Sequence, residues 1–400
     1  MERLDTDILV SGGGVAGMTC AAAFGAAGFR VICVDPTPPV TNASAADADR
    51  RTTAFLQPAR DLLTRAGLWD ALAPYAAALQ VMRIVDAGGA DPEPRVSRDF
   101  DASDISAAPF GWNFPNWLLR RELLARLDTL DTVDFRAGVG FRSMATRTNE
   151  ALVTLTDGSA VRARLVIGAD GRGSPVRSAA GISAKTTRYG QKAVVFAVTH
   201  DAPHNNVSTE VHRTGGPFTL VPLPDQDGRP CSAVVWMTDG ADALRIAALP
   251  EPAFNTEATE RSAGVYGPLA LSGPRQVWPI ISQLAASLTA ERTALVAEAA
   301  HVVPPIGAQG LNMSLADIAC LLDLATENPA GLGDTVMLQA YERRRHPEIR
   351  LRVAGVDALN RASIAGSPTL RDLRAKGIEA LFAATPIRKT LMQLGLGARR

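Results

Sequence analysis

The sequence has few of the residues that form disulfides and metal sites. Its 400 residues include four cysteines and five histidines, and aromatic residues make up only 5%. Cys20, Cys33, Cys231 and Cys320 show no paired spacing and lie in apolar stretches, so we expect free, buried thiols in a reducing compartment. The histidines form neither an HExxH motif nor a cluster with carboxylates at metal-ligand spacing. No metal site is predicted.

Net charge and long apolar runs are also missing. The 41 basic and 41 acidic residues cancel, so charge gives no reason to expect a nucleic-acid partner. No run reaches the roughly 18 apolar residues of a membrane span. The N-terminal segment is charged and is then broken by Ser11 and three glycines, which is not typical of a signal peptide. We therefore expect a cytoplasmic protein, at most attached to a membrane surface.

The length predicts at least two domains, and the first of them begins with a dinucleotide-binding pattern. A short apolar run at residues 8–10 leads into a glycine-rich turn, a helix of small residues that ends at Gly28, and a second strand at 30–35. In a G-x-G-x-x-G turn the glycines permit a tight bend, close approach of a pyrophosphate, and close packing of the helix. An acid at the end of the second strand accepts a hydrogen bond from the ribose. The residues predicted to hold the nucleotide are Gly12, Gly14, Val15, Ala16, Gly17 and Asp35.

Two later segments repeat the arrangement of a strand, a turn and a helix. Residues 163–169 form an apolar run that ends at Asp170, and Ser174 with Pro175 predicts the start of a helix. Residues 297–312 carry a glycine-bearing loop that leads into an apolar-periodic helix at about 311–325. A loop delivered onto a helix N-terminus favours an anionic ligand.

In this order the three motifs resemble those of the class A flavoprotein monooxygenases, and the resemblance covers most of the chain. It implies an α/β fold with a discontinuous Rossmann-like FAD-binding domain, an antiparallel β-sheet substrate domain and a C-terminal helical segment. Arg51 and Arg120 match two arginines that this family uses near the flavin, Asp170 lies in the pyrophosphate motif, and Glu298 takes the place of the acid on the ribityl chain. The loop expected along the flavin ring contributes Pro305, Gly307, Gly310, Leu311 and Asn312.

The sequence departs from the family pattern within the third motif. The usual Gly-Asp is Ala297-Glu298, the second loop glycine is Ala308, and a later glycine is Ser314. A glutamate still accepts hydrogen bonds from sugar hydroxyls, with its contact shifted by one methylene. These changes motivate an alternative in which the chain is a non-catalytic scaffold of a biosynthetic complex, either flavin-binding or flavin-free.

A series of short motifs in the middle of the chain narrows the resemblance. The YGQxA segment at Tyr189, the GPxxLxPL segment at 216–223 and the VVW segment ending at Trp236 resemble the ubiquinone-biosynthesis hydroxylases. Alternation predicts strands at about 193–199, 207–213, 218–223 and 231–237, in an antiparallel sheet that covers the flavin and holds the substrate. The predicted division is 1–77, 113–182 and 278–345 for the FAD-binding domain, 78–112 and 183–277 for the substrate-binding sheet, and 346–400 for the helical region.

The resemblance implies an aromatic-ring hydroxylase that uses NADH or NADPH and O2 through a flavin C4a-hydroperoxide, with a phenol or benzoquinol carrying an isoprenoid tail as substrate. The same motifs would serve an FAD-dependent reductase of the superfamily, which is a second alternative. His204 and His212 lie in the substrate sheet and are candidates to meet a phenol, but no catalytic base is predicted. Ile387, Leu391 and Leu394, between basic pairs, suggest a helix that contacts a membrane surface or another protein of quinone biosynthesis.

Overall fold

The computed structural model describes residues 3–45, 48–88, 93–213, 215–364, 376, 382 and 385–396. The strands are β1 (Arg3–Ser11), β2 (Val31–Asp35), β3 (Thr52–Leu56), β4 (Ala77–Leu79), β5 (Val81–Asp86), β6 (Val96–Asp101), β7 (Gly111–Pro115), β8 (Val133–Ala137), β9 (Phe141–Arg147), β10 (Glu150–Leu155), β11 (Ala160–Gly168), β12 (Ala184–Thr199), β13 (Val207–His212), β14 (Pro217–Gln226), β15 (Arg229–Asp239), β16 (Ala270–Ala285), β17 (Thr289–Ala290), β18 (Thr293–Leu295) and β19 (His301–Val302). The helices are α1 (Val15–Ala26), α2 (Gln57–Arg65), α3 (Trp69–Leu72), α4 (Asn116–Leu127), α5 (Pro175–Ala179), α6 (Gly240–Ala248), α7 (Glu251–Arg261), α8 (Gln309–Glu327), α9 (Thr335–Ile364) and α10 (Thr385–Leu396).

The first sheet carries the predicted dinucleotide-binding unit. Its strand order is β17-β18-β11-β1-β2-β8, and β10 and β9 extend it from β11. β1 pairs in parallel with both β2 and β11, so the ends of all three strands meet at one edge of the sheet. Helix α1 is buried along almost its whole length, which explains why its sequence is made of small and apolar residues without a polar face.

The second sheet confirms the predicted strands of the substrate region and extends them. Its order is β19-β16-β12-β15-β14-β13-β5-β6. The four predicted strands pair antiparallel, as expected, and in the whole sheet only β13 and β5 run in parallel within the described part of the chain. The reason is the chain path, because β5 belongs to the earlier segment between β4 and β6 and joins β13 from outside the series of hairpins. Strands β3, β7 and β4 form a small third sheet in that order.

Strand β16 was not predicted from the sequence. Gly273, Pro274 and Pro279 are typical of turns, yet they lie within a strand of 16 residues that pairs with β12 over most of its length. The pairing register shifts between Val195 and Ala197, opposite Gly273 and Pro274, so the residues that break regular pairing lie in an irregular stretch. β16 crosses the predicted boundary at 277/278, and α9 crosses the one at 345/346.

The C-terminal region is helical where it is described. α9 runs to residue 364, and α10 follows at 385–396. The side chains of Ile387, Leu391 and Leu394, on which the predicted amphipathic surface depends, lie outside the described residues. No helix in the described part of the chain has the length and apolar character needed to cross a bilayer.

Candidate active site

The glycine-rich turn after β1 is packed against the end of β11. Gly12 has a φ of +119°, and a Cβ atom there would lie 2.3 Å from the carbonyl oxygen of Ala169. A Cβ atom on Gly17 would lie 1.9 Å from the carbonyl oxygen of Gly12, so this glycine makes room for the turn itself. No atom lies within 4 Å of the position of a Cβ atom on Gly14 among the described residues. The second glycine therefore leaves its backbone open to the cavity that the turn lines.

Asp35 is held in place by the turn. Its Oδ2 atom accepts a hydrogen bond from the backbone N–H of Gly13 at 2.5 Å, and its Oδ1 atom accepts one from the N–H of Thr37 at 2.7 Å. The carboxylate lines the same cavity as Gly12 and Gly14. Its fixed orientation at the end of β2 suits an acceptor of a ligand hydroxyl.

Asp170 lies beyond the end of β11, beside the glycine turn. Its Oδ2 atom accepts hydrogen bonds from the Ser11 hydroxyl at 3.3 Å and from the N–H of Val176 at 3.1 Å. Its Oδ1 atom is buried without a partner in the described structure. Burial raises the pKa of the Asp170 carboxyl, and hydrogen bonds from Ser174, Val176 and Ser11 oppose that effect. As predicted, Ser174 caps α5 by accepting the N–H of Arg177.

The third motif has unusual backbone geometry at both of its alanine replacements. Ala297 and Ala308 each have a φ of +56°, in the left-handed region that favours glycine. Ala308 is the N-cap of α8, and Gly310 and Leu311 in the first turn of that helix line the cavity together with Pro305 and Gly307. The positive end of the α8 dipole therefore faces the cavity.

Two other residues of this motif have different positions. Glu298 lines the cavity with its side chain 48% exposed, and its nearest cation is Arg172 at 3.8 Å. Asn312 lies outside the cavity lining, and its side chain bonds the β3 backbone at Leu56 N (2.8 Å) and Ala54 O (2.7 Å).

Arg51 and Arg120 are brought together by an acid that the sequence analysis did not single out. Asp49 accepts both Nε and Nη2 of Arg51, at 2.9 and 2.8 Å, and also contacts Arg120 at 3.4 Å and Asn116 at 3.1 Å. Burial acts to raise the pKa of the Asp49 carboxyl, but hydrogen bonds from Arg51 and Asn116 and the charge of Arg120 outweigh it, so this pKa lies below its usual value. The acid two residues before Arg51 was the available signal.

A buried ion-pair cluster contacts the third motif. Asp317 is fully buried and binds Nε2 of His301 at 2.7 Å and Nε of Arg345 at 2.9 Å. The interpretation of His301 as a structural histidine agrees with this contact. Its Nδ1 atom is buried without a partner in the described structure, and the residue lines the cavity.

The substrate half of the cavity is formed by one face of the second sheet. Ala193, Val195 and Val235 lie on this face, whereas Phe196 and Trp236 pack on the opposite face beneath α6 and α7. The strand motifs of the central region therefore serve two purposes, since alternate residues form the cavity wall and the core behind it. The remaining apolar lining comes from Leu56, Leu79, Met82, Phe110 and Val221.

The YGQ segment has a structural function that its position in the sequence did not reveal. Gly190 has a φ of +75° at an irregular stretch of the β12–β16 pairing. The flanking side chains both reach α9, because the Tyr189 hydroxyl donates to Asp357 and Gln191 Oε1 accepts from Asn360 at 3.0 Å. Burial, with a further contribution from Asp357, raises the pKa of Tyr189 to about 12.

The two histidines named as candidates have different surroundings. His204 bonds only to backbone, with Nε2 3.1 Å from the Leu223 carbonyl and Nδ1 accepting the N–H of Asn206. His212 lies 2.7 Å from the carboxylate of Glu210. Glu210 lines the cavity and was not identified from the sequence.

These parts form one continuous cavity of about 740 Å³. It joins the open backbone at Gly14 to the first turn of α8 and to the apolar sheet face. In the described structure, Asp170 Oδ1, Arg120 Nε and Trp278 Nε1 are buried polar atoms of lining residues that have no partner. A flavin dinucleotide, with an anionic pyrophosphate and a polar ring edge, fits this set of donors and acceptors.

The chain belongs to the FAD-binding-domain family, whose model matches residues 5–356, and it is an FAD-dependent monooxygenase with NADH or NADPH as reductant. It is 33% identical to the ubiquinone hydroxylase UbiL of Rhodospirillum rubrum over 98% of this chain and 89% of that one. It is 24% identical to the 3-demethoxyubiquinol 3-hydroxylase of Escherichia coli over 99% and 100% of the two chains. Its fold is similar to that of the p-nitrophenol 4-monooxygenase of Pseudomonas putida, with a TM-score of 0.79, 19% identity and full coverage of both chains.

Proposed function

We propose that this enzyme hydroxylates the aromatic ring of a polyprenylated phenol or benzoquinol intermediate of ubiquinone biosynthesis. The observation that carries the proposal is the continuity of the cavity, which runs from the glycine turn past the first turn of α8 to an apolar wall. The names of the relatives in Rhodospirillum rubrum and Escherichia coli support this substrate class. A wall made of aliphatic and aromatic side chains suits a substrate whose ring carries an isoprenoid tail.

The residues of the first sheet would hold the nucleotide half of FAD. Gly14, Val15 and Ala16 would present backbone N–H groups and the N-terminus of α1 to the pyrophosphate, beside a turn whose packing depends on Gly12 and Gly17. Asp35 would accept a hydrogen bond from the adenosine ribose, because its carboxylate is already fixed at the end of β2. Asp170 would lie beside the pyrophosphate motif, where its unpaired Oδ1 atom accepts a hydrogen bond from a ligand hydroxyl or from water.

The third motif and the two arginines would surround the ring half. Glu298 would accept hydrogen bonds from the ribityl hydroxyls, and the backbone of Pro305, Gly307, Gly310 and Leu311 would lie along the ring, with Asn312 tying the loop to β3. The N-terminal end of α8 would stabilise negative charge on the reduced ring. Arg51 and Arg120 would remain close to the ring through their shared contact with Asp49.

FAD, reduced by NADH or NADPH, supplies the activation of O2 in this reaction. The protein positions the substrate ring and excludes water through the apolar sheet face. In this proposal residues 1–77, 113–182 and 278–345 bind FAD, residues 78–112 and 183–277 bind substrate, and 346–400 form the helical region, with β16 and α9 shared across boundaries.

The isoprenoid tail of such a substrate partitions into membranes, so we propose that the enzyme works at the cytoplasmic face of the membrane. Peripheral contact there, beside other quinone-biosynthesis proteins, would place it where the substrate is dissolved. The described part of the C-terminal region lies next to the cavity wall, because Met392 of α10 packs in one cluster with Leu56, Leu79 and Phe110.

The test is an assay of the purified, FAD-loaded enzyme with NADPH, 2-geranylphenol and ¹⁸O-labelled O2. We expect a product heavier by one labelled oxygen atom and NADPH consumption that depends on the substrate. Product formed without O2 would instead identify an FAD-dependent reductase. A protein that binds no FAD on reconstitution would identify a scaffold. In cells, deletion of the gene should cause a prenylated precursor to accumulate, and an unchanged quinone pool would overturn the substrate assignment.

A further inference from the structure

Glu210 is the one carboxylate that the second sheet contributes to the lining of the cavity, within the described part of the chain. Its side chain is 7% exposed. The neighbouring lining residues on the same face are Ser208, Thr219 and Val221, of which Thr219 is its cross-strand partner on β14. Burying a carboxylate in such a position costs free energy unless a partner offsets the loss of water.

The side chain of His212 contacts this carboxylate. It is two residues further along β13, on the same face of the sheet, with Nε2 2.7 Å from Glu210 Oε1. Its Nδ1 atom is buried without a partner in the described structure. The cavity lining includes Glu210 but not His212. This order, with the carboxylate in the cavity lining and the imidazole in contact with it outside the lining, is that of a proton acceptor with a second group to stabilise the proton.

We propose that Glu210, supported by His212, accepts the phenolic proton of the substrate during ring hydroxylation, an inference that rests on the proposed function. As the ring carbon bonds to one oxygen atom of O2 that NADH or NADPH has reduced by two electrons, the O–O bond breaks, the other oxygen atom leaves to become water, and the substrate O–H bond breaks. Its electron pair forms the carbonyl of the resulting dienone, and its proton passes to the Glu210 carboxylate. The phenol is far more acidic once the ring has given up electrons, so a carboxylate can accept its proton at that moment.

Charged groups on two neighbouring parts of the structure are already paired. Asp86 on β5 lies opposite His212 and binds Arg95 at 2.8 Å. On the FAD side of the cavity, Arg51 is paired with Asp49. The face of β14 that meets Glu210 contributes Thr219 and Val221, which carry no charge. His212, 2.7 Å away, is the ionisable side chain that contacts Glu210 directly.

The decisive variant is Glu210→Gln, which retains the shape of the side chain and a hydrogen bond to His212 but does not accept the proton at neutral pH. With 2-geranylphenol, kcat for hydroxylation should fall by about 100-fold. Reduction of bound FAD by NADPH should keep its rate, with the consumed NADPH now appearing as H2O2. Glu210→Asp should recover part of the activity, and acetate should restore part of the activity of Glu210→Ala.

His212→Gln should lower kcat by a smaller factor, about 10-fold, and shift the acid limb of the kcat profile. The matched controls are His204→Gln, a histidine in the loop between β12 and β13 whose side chain bonds only to backbone, and Glu251→Gln on the exposed start of α7. Both should behave as wild type. Full coupling of NADPH to product in Glu210→Gln, or a change in KM alone, would overturn the inference. A wild-type enzyme that does not hydroxylate 2-geranylphenol would overturn the proposed function and this inference with it.

Discussion

The guanidinium carbon of Arg51 lies 4.2 Å from the centre of the Trp278 ring. Arg51 immediately precedes β3, and Trp278 is in the long strand β16 of the second sheet. The contact therefore joins the arginine cluster of the FAD side to the sheet that forms the substrate wall. Both residues line the cavity.

Replacement of Trp278 by leucine should weaken FAD binding. The change removes a cation–π contact of about 0.5 to 2 kcal/mol, so Arg51 is held less firmly beside the ring and the Kd for FAD should rise by about 2- to 30-fold. Fluorescence titration of the apoprotein with FAD measures this. Trp69→Leu is the matched control, because Trp69 also stacks on an arginine, Arg60, outside the cavity lining. An equal loss of FAD affinity in both variants would contradict the prediction.

Replacing Ala297 or Ala308, whose backbone is in the left-handed region, with glycine should stabilise the protein. Ala297→Gly and Ala308→Gly each relieve a backbone conformation that costs about 1 to 2 kcal/mol for an L-residue, and the gain is reduced by the extra freedom of glycine in the unfolded chain. We expect a net gain of about 0.5 to 1 kcal/mol per site in the free energy of unfolding. Urea denaturation checks this. Ala319→Gly in the middle of α8 should have the opposite sign, with a loss of about 1 kcal/mol.

The buried cluster around Asp317 should be sensitive to loss of its charge. Asp317→Asn leaves the guanidinium of Arg345, whose side chain is 6% exposed, without its buried counter-ion, and should cost about 3 to 5 kcal/mol of stability. Asp323→Asn on the same helix is the control, because its pair with Arg65 has side chains 43% and 49% exposed. That variant should lose less than about 1 kcal/mol. Similar midpoints for the two variants in urea would show that the cluster does not stabilise the fold.

Asp49 should contribute to acid stability. Its folded-state pKa is lower than that of the unfolded chain, so its stabilising effect is complete above the unfolded value of about 4 and is lost as the pH falls through the lowered folded value. Asp49→Asn should therefore be less stable than wild type at pH 7, with the difference shrinking below pH ~4. Urea denaturation at several pH values between about 3 and 7 measures it. A difference that is constant with pH would contradict this assignment.

Local patterns predicted the glycine turn, the acid and the helix cap at the ends of the first-sheet strands, because each has its own signal in the sequence. The glycines after β1, the acid at the end of β2 and the cap at Ser174 each solve a problem set by neighbouring residues. The strands around Val195 and Val235 were visible for the same reason, since alternation depends on one strand at a time.

Features that depend on contacts between residues far apart in the chain could not be predicted from the sequence. Pro274 and Pro279 suggest turns, and only their place opposite irregular stretches of β12 makes them tolerable in β16. Asp49 gains its significance from Arg120, 71 residues away. Glu210 resembles any polar residue of an alternating strand until the cavity is known.

Helix α9 has contacts at both ends that bear on how the molecule unfolds. The Tyr341 hydroxyl donates to the carbonyl of Leu295 in the first sheet at 2.8 Å, and Asn360 donates to Gln191 in the second sheet at 3.0 Å. Because one helix is hydrogen-bonded to both sheets, neither sheet can unfold without breaking contacts that also hold the other. Calorimetry should accordingly record a single cooperative transition rather than two.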